Sequence, residues 1–293
     1  MAETRKIQMF NPESKMHRQK VRNELIRKAF VCLMLVVVLI PFYVAVMYAF
    51  KPVNEVTANR IAFSAHPTLE NFRIVIFENP LFRIGFKNSL INTIPAVLLL
   101  MAVTSMAAWV LARFDHLTSY KVIYAVLTLG LLVPFQCIIL PLYINWYSAG
   151  LTNSNIGFII ARTGLQISIS LTAVTGFVKT VPRELEQAAS IDGCNRFQTF
   201  WKVVFPLMTP INTTQLVLNS LFIWNDYSTS VILLRETESK TLTLAQIQYF
   251  GTNTSELNEA FAFFCLSMIP ILTLYLSCQR YIISGITAGA VKG

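Results

Sequence analysis

Charge is what this chain has least of. Only 13% of its 293 residues are Asp, Glu, Lys or Arg, about half the roughly 25% usual in a soluble domain. By contrast 54% are hydrophobic and the mean hydropathy is +0.55. Histidine is scarce too: His17, His66 and His116 stand far apart and suggest no metal site. The five cysteines, Cys32, Cys137, Cys194, Cys265 and Cys278, are odd in number and lack paired spacing. Four of them lie in apolar runs and read as small hydrophobes, not as disulfides or zinc ligands. No GxxxxGK(S/T) phosphate loop occurs, and no nucleophile, base and orienter stand out together. The chain is therefore expected to be no enzyme and to hold no nucleotide, metal or other cofactor itself. The net charge of +9 raises nucleic acid as a partner, but the basic residues gather before the first apolar run and in alternate loops, so the charge reads as membrane topology and no nucleic-acid partner is expected.

Long apolar runs fill the space these absences leave. A hydrocarbon layer about 30 Å thick needs roughly 20 apolar residues, and the sequence suggests six such spans, at about 29–50, 90–111, 122–143, 156–178, 207–232 and 260–281. The expected class is an all-α polytopic membrane protein: a basic segment 1–28, a six-span domain 29–282 that includes a polar loop 179–206, and a tail 283–293. The first run is too long for a signal-peptide core and no small-x-small cleavage site follows it, so it reads as a span with its amino end inside. Pro41, Pro134, Pro141 and Pro270 fall within spans, where membrane neighbours can re-satisfy the freed carbonyls. In this layout the internal segments hold sixteen of the 24 Lys and Arg and the external loops seven, which puts both termini in the cytoplasm. The segment 51–87 reads as one external loop, 233–259 as another, and Tyr143, Trp146 and Tyr147 as part of an interfacial aromatic turn over 141–151.

Two places carry more information than apolarity. One is VPRELEQAASIDGCNRFQTFWKVVFP, from Val181 to Pro206. Pro182 fits a first helical position, Glu184 and Glu186 suit the positive end of a helix dipole, and Gly193 suits a left-handed C-terminal cap. Leu185, Ala188 and Ala189 share a narrow small-residue face. Asn195 then caps a second helix with Phe197, Phe200, Trp201 and Val204 on one face, closed by Pro206. Two readings fit: a docking element whose aromatic face enters the lipid boundary or the ends of neighbouring helices while the small face accepts a partner, or an ordinary helical hairpin packed on its own domain. The other place is the polar content of spans four and five. Arg162 in span four either snorkels and packs or lies on a translocation path. Asn212, Gln215, Asn219, Trp224, Asn225, Asp226 and Tyr227 in span five either join helices or line a hydrated route for a hydroxyl-rich solute.

The order Ala188, Ala189, three residues, Gly193, nine residues, Val203, one residue, Phe205, Pro206 resembles the EAA loop of bacterial ABC importer membrane subunits. The run ELEQAASIDG from Glu184 to Gly193 and the tail RYIISGITAGAVKG from Tyr281 onward with Arg280 resemble the carbohydrate-uptake, maltose-type branch, as do Trp224, Asn225 and Tyr227 in their WN-x-(F/Y) spacing. Gln187 stands where the family usually has glutamate, so the pairing with a basic residue of the ATPase that the resemblance implies keeps a hydrogen bond but not its ionic part; whether Glu186 beside it substitutes is left open by the sequence, and Val203 and Phe205 replace Ile and Leu. The resemblance implies a type I importer permease in the bacterial cytoplasmic membrane that moves an oligosaccharide by alternating access. It also implies the partners: two ATPase subunits carrying ATP and Mg, a second homologous permease, and an external solute-binding protein. It makes Pro182 to Asp192 a lever seated in the ATPase. Rival classes predict other features: an ion-coupled carrier needs ionisable residues within spans, where only Arg162 and Asp226 qualify, and a membrane enzyme needs clustered His, Asp or Glu. An importer for a non-sugar solute would look much the same.

Overall fold

The computed structural model describes the backbone of residues 12–58, 62–252 and 256–290, and side chains over 19–56, 62–251 and 256–279. Residues 1–11 of the basic segment and 291–293 of the tail, and the side chains beyond 279, lie outside the described residues. Helix α1 (Pro12–Ala49) is basic and polar up to Lys28 and apolar all round from Ala29, and it is exposed along 19–43; only its last turn is buried. There Met47 and Tyr48 pack with Val56 of α2 (Val53–Ala58) and with Leu257 and Phe261. A bare apolar helix of this length is a surface made for lipid or for another chain.

The expected loop over 51–87 is largely helical. After α3 (Glu70–Arg73) and a π-turn over Ile74–Glu78, α4 (Pro80–Arg113) starts ten residues before the expected span. The cause is local: Asn79 Oδ1 accepts the amides of Leu81 (2.9 Å) and Phe82 (3.3 Å), and Pro80 supplies a first-turn residue with no amide to orphan. Arg83 and Lys87, placed in a loop by the sequence, stand exposed on those first turns.

Span three is broken. α5 (Thr118–Leu129) runs into a 3-10 turn over Gly130–Leu132 and meets α6 (Phe135–Ser148) at 102°, with Pro134 at the corner. Gly130 sits where the chain crosses the next helix: a Cβ there would lie 2.5 Å from Ser168 Oγ, which donates to the Leu127 carbonyl. The aromatic turn expected over 141–151 is helix through Ser148 instead. It ends at Gly150, φ +67°, and Trp146 Nε1 donates to the Gly157 carbonyl of α7 (Asn155–Val178).

Next come α8 (Glu184–Ile191), α9 (Arg196–Thr199) and α10 (Phe205–Leu207), and then α11 (Thr209–Trp224). At 16 residues and 1.5 Å per residue, α11 is about 24 Å long, shorter than the expected span over 207–232. Asp226 ends it, because its carboxylate takes the Ser230 amide (3.1 Å) and the Thr229 hydroxyl (3.2 Å) and offers the backbone a turn in place of another helical bond. α12 (Ser230–Leu233) follows, and the expected loop over 233–259 contains α13 (Leu242–Thr252). That helix lies on the start of α4, where a Cβ on Gly85 would come 2.9 Å from Leu242 Cα. Asn88 Nδ2 holds the Glu238 and Lys240 carbonyls and Ser89 Oγ takes the Leu242 amide. α14 (Leu257–Ala290) continues as helix beyond the expected end of span six. Among the described residues four helices are long and apolar enough to cross a membrane, and five if α5 and α6 count as one bent crossing; α11 is the short sixth helix of the expected layout. α4 packs along α7, and α11 lies between these two and α14.

Candidate functional site at the hairpin end of the bundle

The hairpin between α7 and α11 closes one end of the bundle. Glu184 and Glu186 lie in the first turn of α8, but the helix begins at Glu184, so Pro182 precedes it and is no first helical residue. Gly193 takes φ +85°, the left-handed cap, with its amide on the Ser190 carbonyl and that of Cys194 on the Ala189 carbonyl. Asn195 and Gln198 exchange the two bonds of a capping box. From there α9 and α10 join through a π-turn over Phe200–Val204, in which the Phe205 amide reaches the Phe200 carbonyl. Pro206 therefore does not close the unit; it lies inside α10, just after the π-turn.

The two expected faces are each split. Phe200 and Val204 are fully buried among Ala108, Leu111, Ala112, Leu171, Val174 and Val178, so the aromatic face does enter the ends of neighbouring helices. Phe197 and Trp201, on the same helix, stay exposed and meet edge to face. Of the small face Ala189 is buried against its own chain, while Leu185 and Ala188 are exposed. Ile191 is 87% exposed and Phe197 69%, and Pro182, Gln187 and Asp192 are open to solvent beside them.

Glu186, whose role the sequence leaves open, turns inward. It is not a free substitute for Gln187. Its Oε1 accepts from Arg113 Nε at 2.7 Å and lies 2.6 Å from Arg113 Nη2, and its Oε2 accepts from Trp109 Nε1 at 3.0 Å. Arg113 is the last residue of α4 and is buried; its Nη1 and Nη2 also donate to the carbonyls of Val178 (3.2 Å) and Val181 (3.0 Å) at the end of α7. A cation suits the negative end of α7 as an anion suits the start of α8. Outside this buried knot lies an exposed one, Asp115 with Lys179 at 3.2 Å and Arg183 at 3.6 Å. The Lys179 ammonium hydrogen-bonded to Asp115 holds that carboxyl below the usual carboxylate range. Sequence reasoning missed Arg113 and Trp109. Their spacing of four at the end of an apolar run was the available signal.

The comparisons with known proteins bear on this geometry. Residues 105–288 match the family model described as the binding-protein-dependent transport system inner membrane component. The chain belongs to that family. The permease is 33% identical to the multiple sugar-binding transport system permease protein MsmG of Streptococcus mutans, over 88% of this chain and 93% of that one. It is also 33% identical to the melibiose/raffinose/stachyose import permease protein MelC of Bacillus subtilis, over 87% and 91%. In fold it is similar to a chain in the crystal structure of a bacterial ABC transporter involved in the import of the acidic polysaccharide alginate, with a TM-score of 0.79 at 18% identity over 94% of this chain and 99% of that one. The permease is thus an inner-membrane transport component, not an enzyme, and works with an ATPase and a solute-binding protein.

At the opposite end of the permease, α7 and α11 bring Arg162 and Asp226 together. The pair is buried but loose: Arg162 Nε stands 3.7 Å from Asp226 Oδ1 and has no hydrogen-bond partner among the described residues, and Nη2 reaches the Phe222 carbonyl at 3.4 Å. Arg162 lies between two open clefts. One, of about 360 Å³, is lined by Phe135, Gln136, Asp226, Ser228 and Thr229; the other, of about 510 Å³, by Leu218, Phe222, Asn225 and Tyr227. Asn225 and Tyr227 are exposed there. Asn219 and Trp224 are not. Asn219 bridges Ser170 and Gln215 inside the bundle, and Trp224 is buried with its Nε1 on the Ser267 carbonyl and its ring edge-on to Phe86, so both join helices and neither lines the two clefts beside Arg162; Trp224 borders a separate apolar cleft with Leu216 and Pro270.

Proposed function

We propose that this permease carries a carbohydrate, an oligosaccharide like those named for its relatives, across the cytoplasmic membrane, with six spans and both termini in the cytosol. It works by alternating access. Two ATPase subunits hold the ATP and Mg and close on each other, and α8 is the lever seated in one of them. The observation that carries this reading is the ridge of Leu185, Ala188, Ile191 and Phe197, exposed on a hairpin whose inner face is anchored by Phe200, Val204, Ala189 and Glu186. Exposed apolar side chains on a rigidly held support fit a partner's groove better than they fit water. Glu184, Gln187 and Asp192 surround that ridge as its polar rim, with Gln187 offering a hydrogen bond where most of the family offers a charge. A second, homologous permease completes the pore against this chain. The solute-binding protein docks at the opposite end, near the clefts beside Arg162 and Asp226, where sugar hydroxyls replace the bond that Arg162 Nε lacks.

The test is purification of the complex through a tag on this chain, after co-expression with its ATPase and sister permease. Proteoliposomes made from it and supplied with the solute-binding protein should hydrolyse ATP and take up labelled raffinose in an ATP-dependent way, and Cys194 should react with thiol reagents from the cytosolic side. Absence of any nucleotide-hydrolysing subunit, or labelling of Cys194 from outside the cell, overturns the reading. Uptake of a different solute class in place of sugars would replace the substrate alone.

A further inference from the structure

We infer that Arg113 is the positioning residue that joins the coupling helix to α4, so that movement of α8 is delivered to α4 and through it to the far end of the bundle. This rests on the function proposed above for α8 and adds the route by which its motion travels. Covalently α8 is joined to α7 by the five residues between Val178 and Glu184 and to α9 by the turn 192–195, and neither link runs to α4. One guanidinium makes that connection. Its fork meets Glu186 of α8 through both Nε and Nη2, and its other donors take the Val178 carbonyl, which also receives the Val181 amide at 3.1 Å, and the Val181 carbonyl just beyond α7. Trp109, one turn earlier on α4, fixes the second carboxylate oxygen. The fork, the carboxylate and the two carbonyls are all buried or half-buried, so water competes poorly for them and the joint is stiff.

What lies at the other end of α4 gives the joint its purpose. The helix has 34 residues, about 51 Å at 1.5 Å each, and its far end clamps the segment that leads into α13. There Asn88 holds two carbonyls, Ser89 holds the Leu242 amide, and Gly85 allows backbone contact. α4 is thus a strut tied at one end to the lever and at the other to the segment after α12. α7 is tied to the lever as well, by the covalent link 179–183 and, through Arg113, by the Val178 carbonyl at its end.

The experiment uses the assembled complex with ATP and vanadate, so that no solute need be known. In a chain whose five native cysteines are replaced by serine, Lys87→Cys, at an exposed position on the far end of α4, carries a spin label. Trapping with ATP and vanadate should change the label's mobility. Arg113→Lys keeps the charge but not the planar fork, so it cannot hold the carboxylate and both carbonyls at once. It should leave the ATPase bound and its basal hydrolysis within about twofold, while the label's response falls by about fivefold or more, the range of a lost coupling term. Trp109→Phe, which removes only the bond to Oε2, should give a partial loss and is the deciding variant if Arg113→Lys does not accumulate. A full response in both variants, no response in the unmodified complex, or loss of the ATPase along with the response overturns the inference. A preparation with no ATPase or no hydrolysis at all sinks the proposed function instead.

Discussion

Two arginine–carboxylate pairs lie at opposite ends of this permease, and they are built differently. Arg113 and Glu186 meet at 2.6 to 2.7 Å, with the second carboxylate oxygen held by Trp109 and further guanidinium donors taken by two carbonyls. Arg162 and Asp226 stand 3.7 Å apart, with Nε unbonded among the described residues and open clefts on either side. A buried ion pair holds firmly when its geometry is good and its other hydrogen bonds are made. The first pair meets those conditions and is a joint. The second does not, and its arginine gains a bond by turning to a hydroxyl that enters the cleft.

The largest effect should come from breaking the joint. Arg113→Gln leaves Glu186 buried without its counter-charge and should lower stability by about 3–5 kcal/mol, seen as a fall in the thermal midpoint of the purified complex. An unshifted midpoint would erase the distinction between the two ends. Gly193→Pro should come next. It deletes the amide that bonds the Ser190 carbonyl and forbids φ +85°, at about 2–3 kcal/mol for the hairpin. ATP-dependent uptake should vanish while membrane insertion persists, as measured in vesicles. Because a Cβ at 193 would meet nothing within 4 Å, Gly193→Asn should be nearly silent, and a large loss there would show crowding instead of backbone conformation to be the cause.

Arg162→Gln should sharpen the contrast from the other side. Stability should change by about 1 kcal/mol or less, since the arginine already lacks a full set of bonds, while uptake should fall by about tenfold if the cleft receives the solute. A midpoint drop equal to that of Arg113→Gln would make the second pair a joint as well. The smallest effect belongs to Asp115→Asn. Its partners Lys179 and Arg183 are half exposed, and solvent-exposed pairs contribute little at low salt and less at high salt. A salt titration of the midpoint checks this.

Much of the hairpin between α7 and α11 was legible in the sequence because its signals are local. Gly193 at a helix end, Asn195 with Gln198 three residues on, and acidic residues in a first turn each specify backbone within a few residues of themselves. The start of α4 was equally local in cause but hidden by its composition: Asn79 and Pro80 set the cap, while Arg83 and Lys87 made the first two turns look like loop. The break before α6 and the end of α11 went the other way, since the apolar run continues through Val133 and the expected span past Trp224, where the helices stop.

The sequence by itself determined the solvent this chain is made for, the helical class, the place of the hairpin and its bend. Those follow from apolar length, caps and a single left-handed glycine. Only the tertiary structure decided which way Glu186 faces, that Ala189 is hidden and Ala188 is not, that Asn219 and Trp224 bind helices together, and that Arg162 meets Asp226 across two of them. Each of those depends on groups far apart in the chain, 73 residues for Arg113 and Glu186. No periodicity within one helix records what a neighbouring helix will place against it.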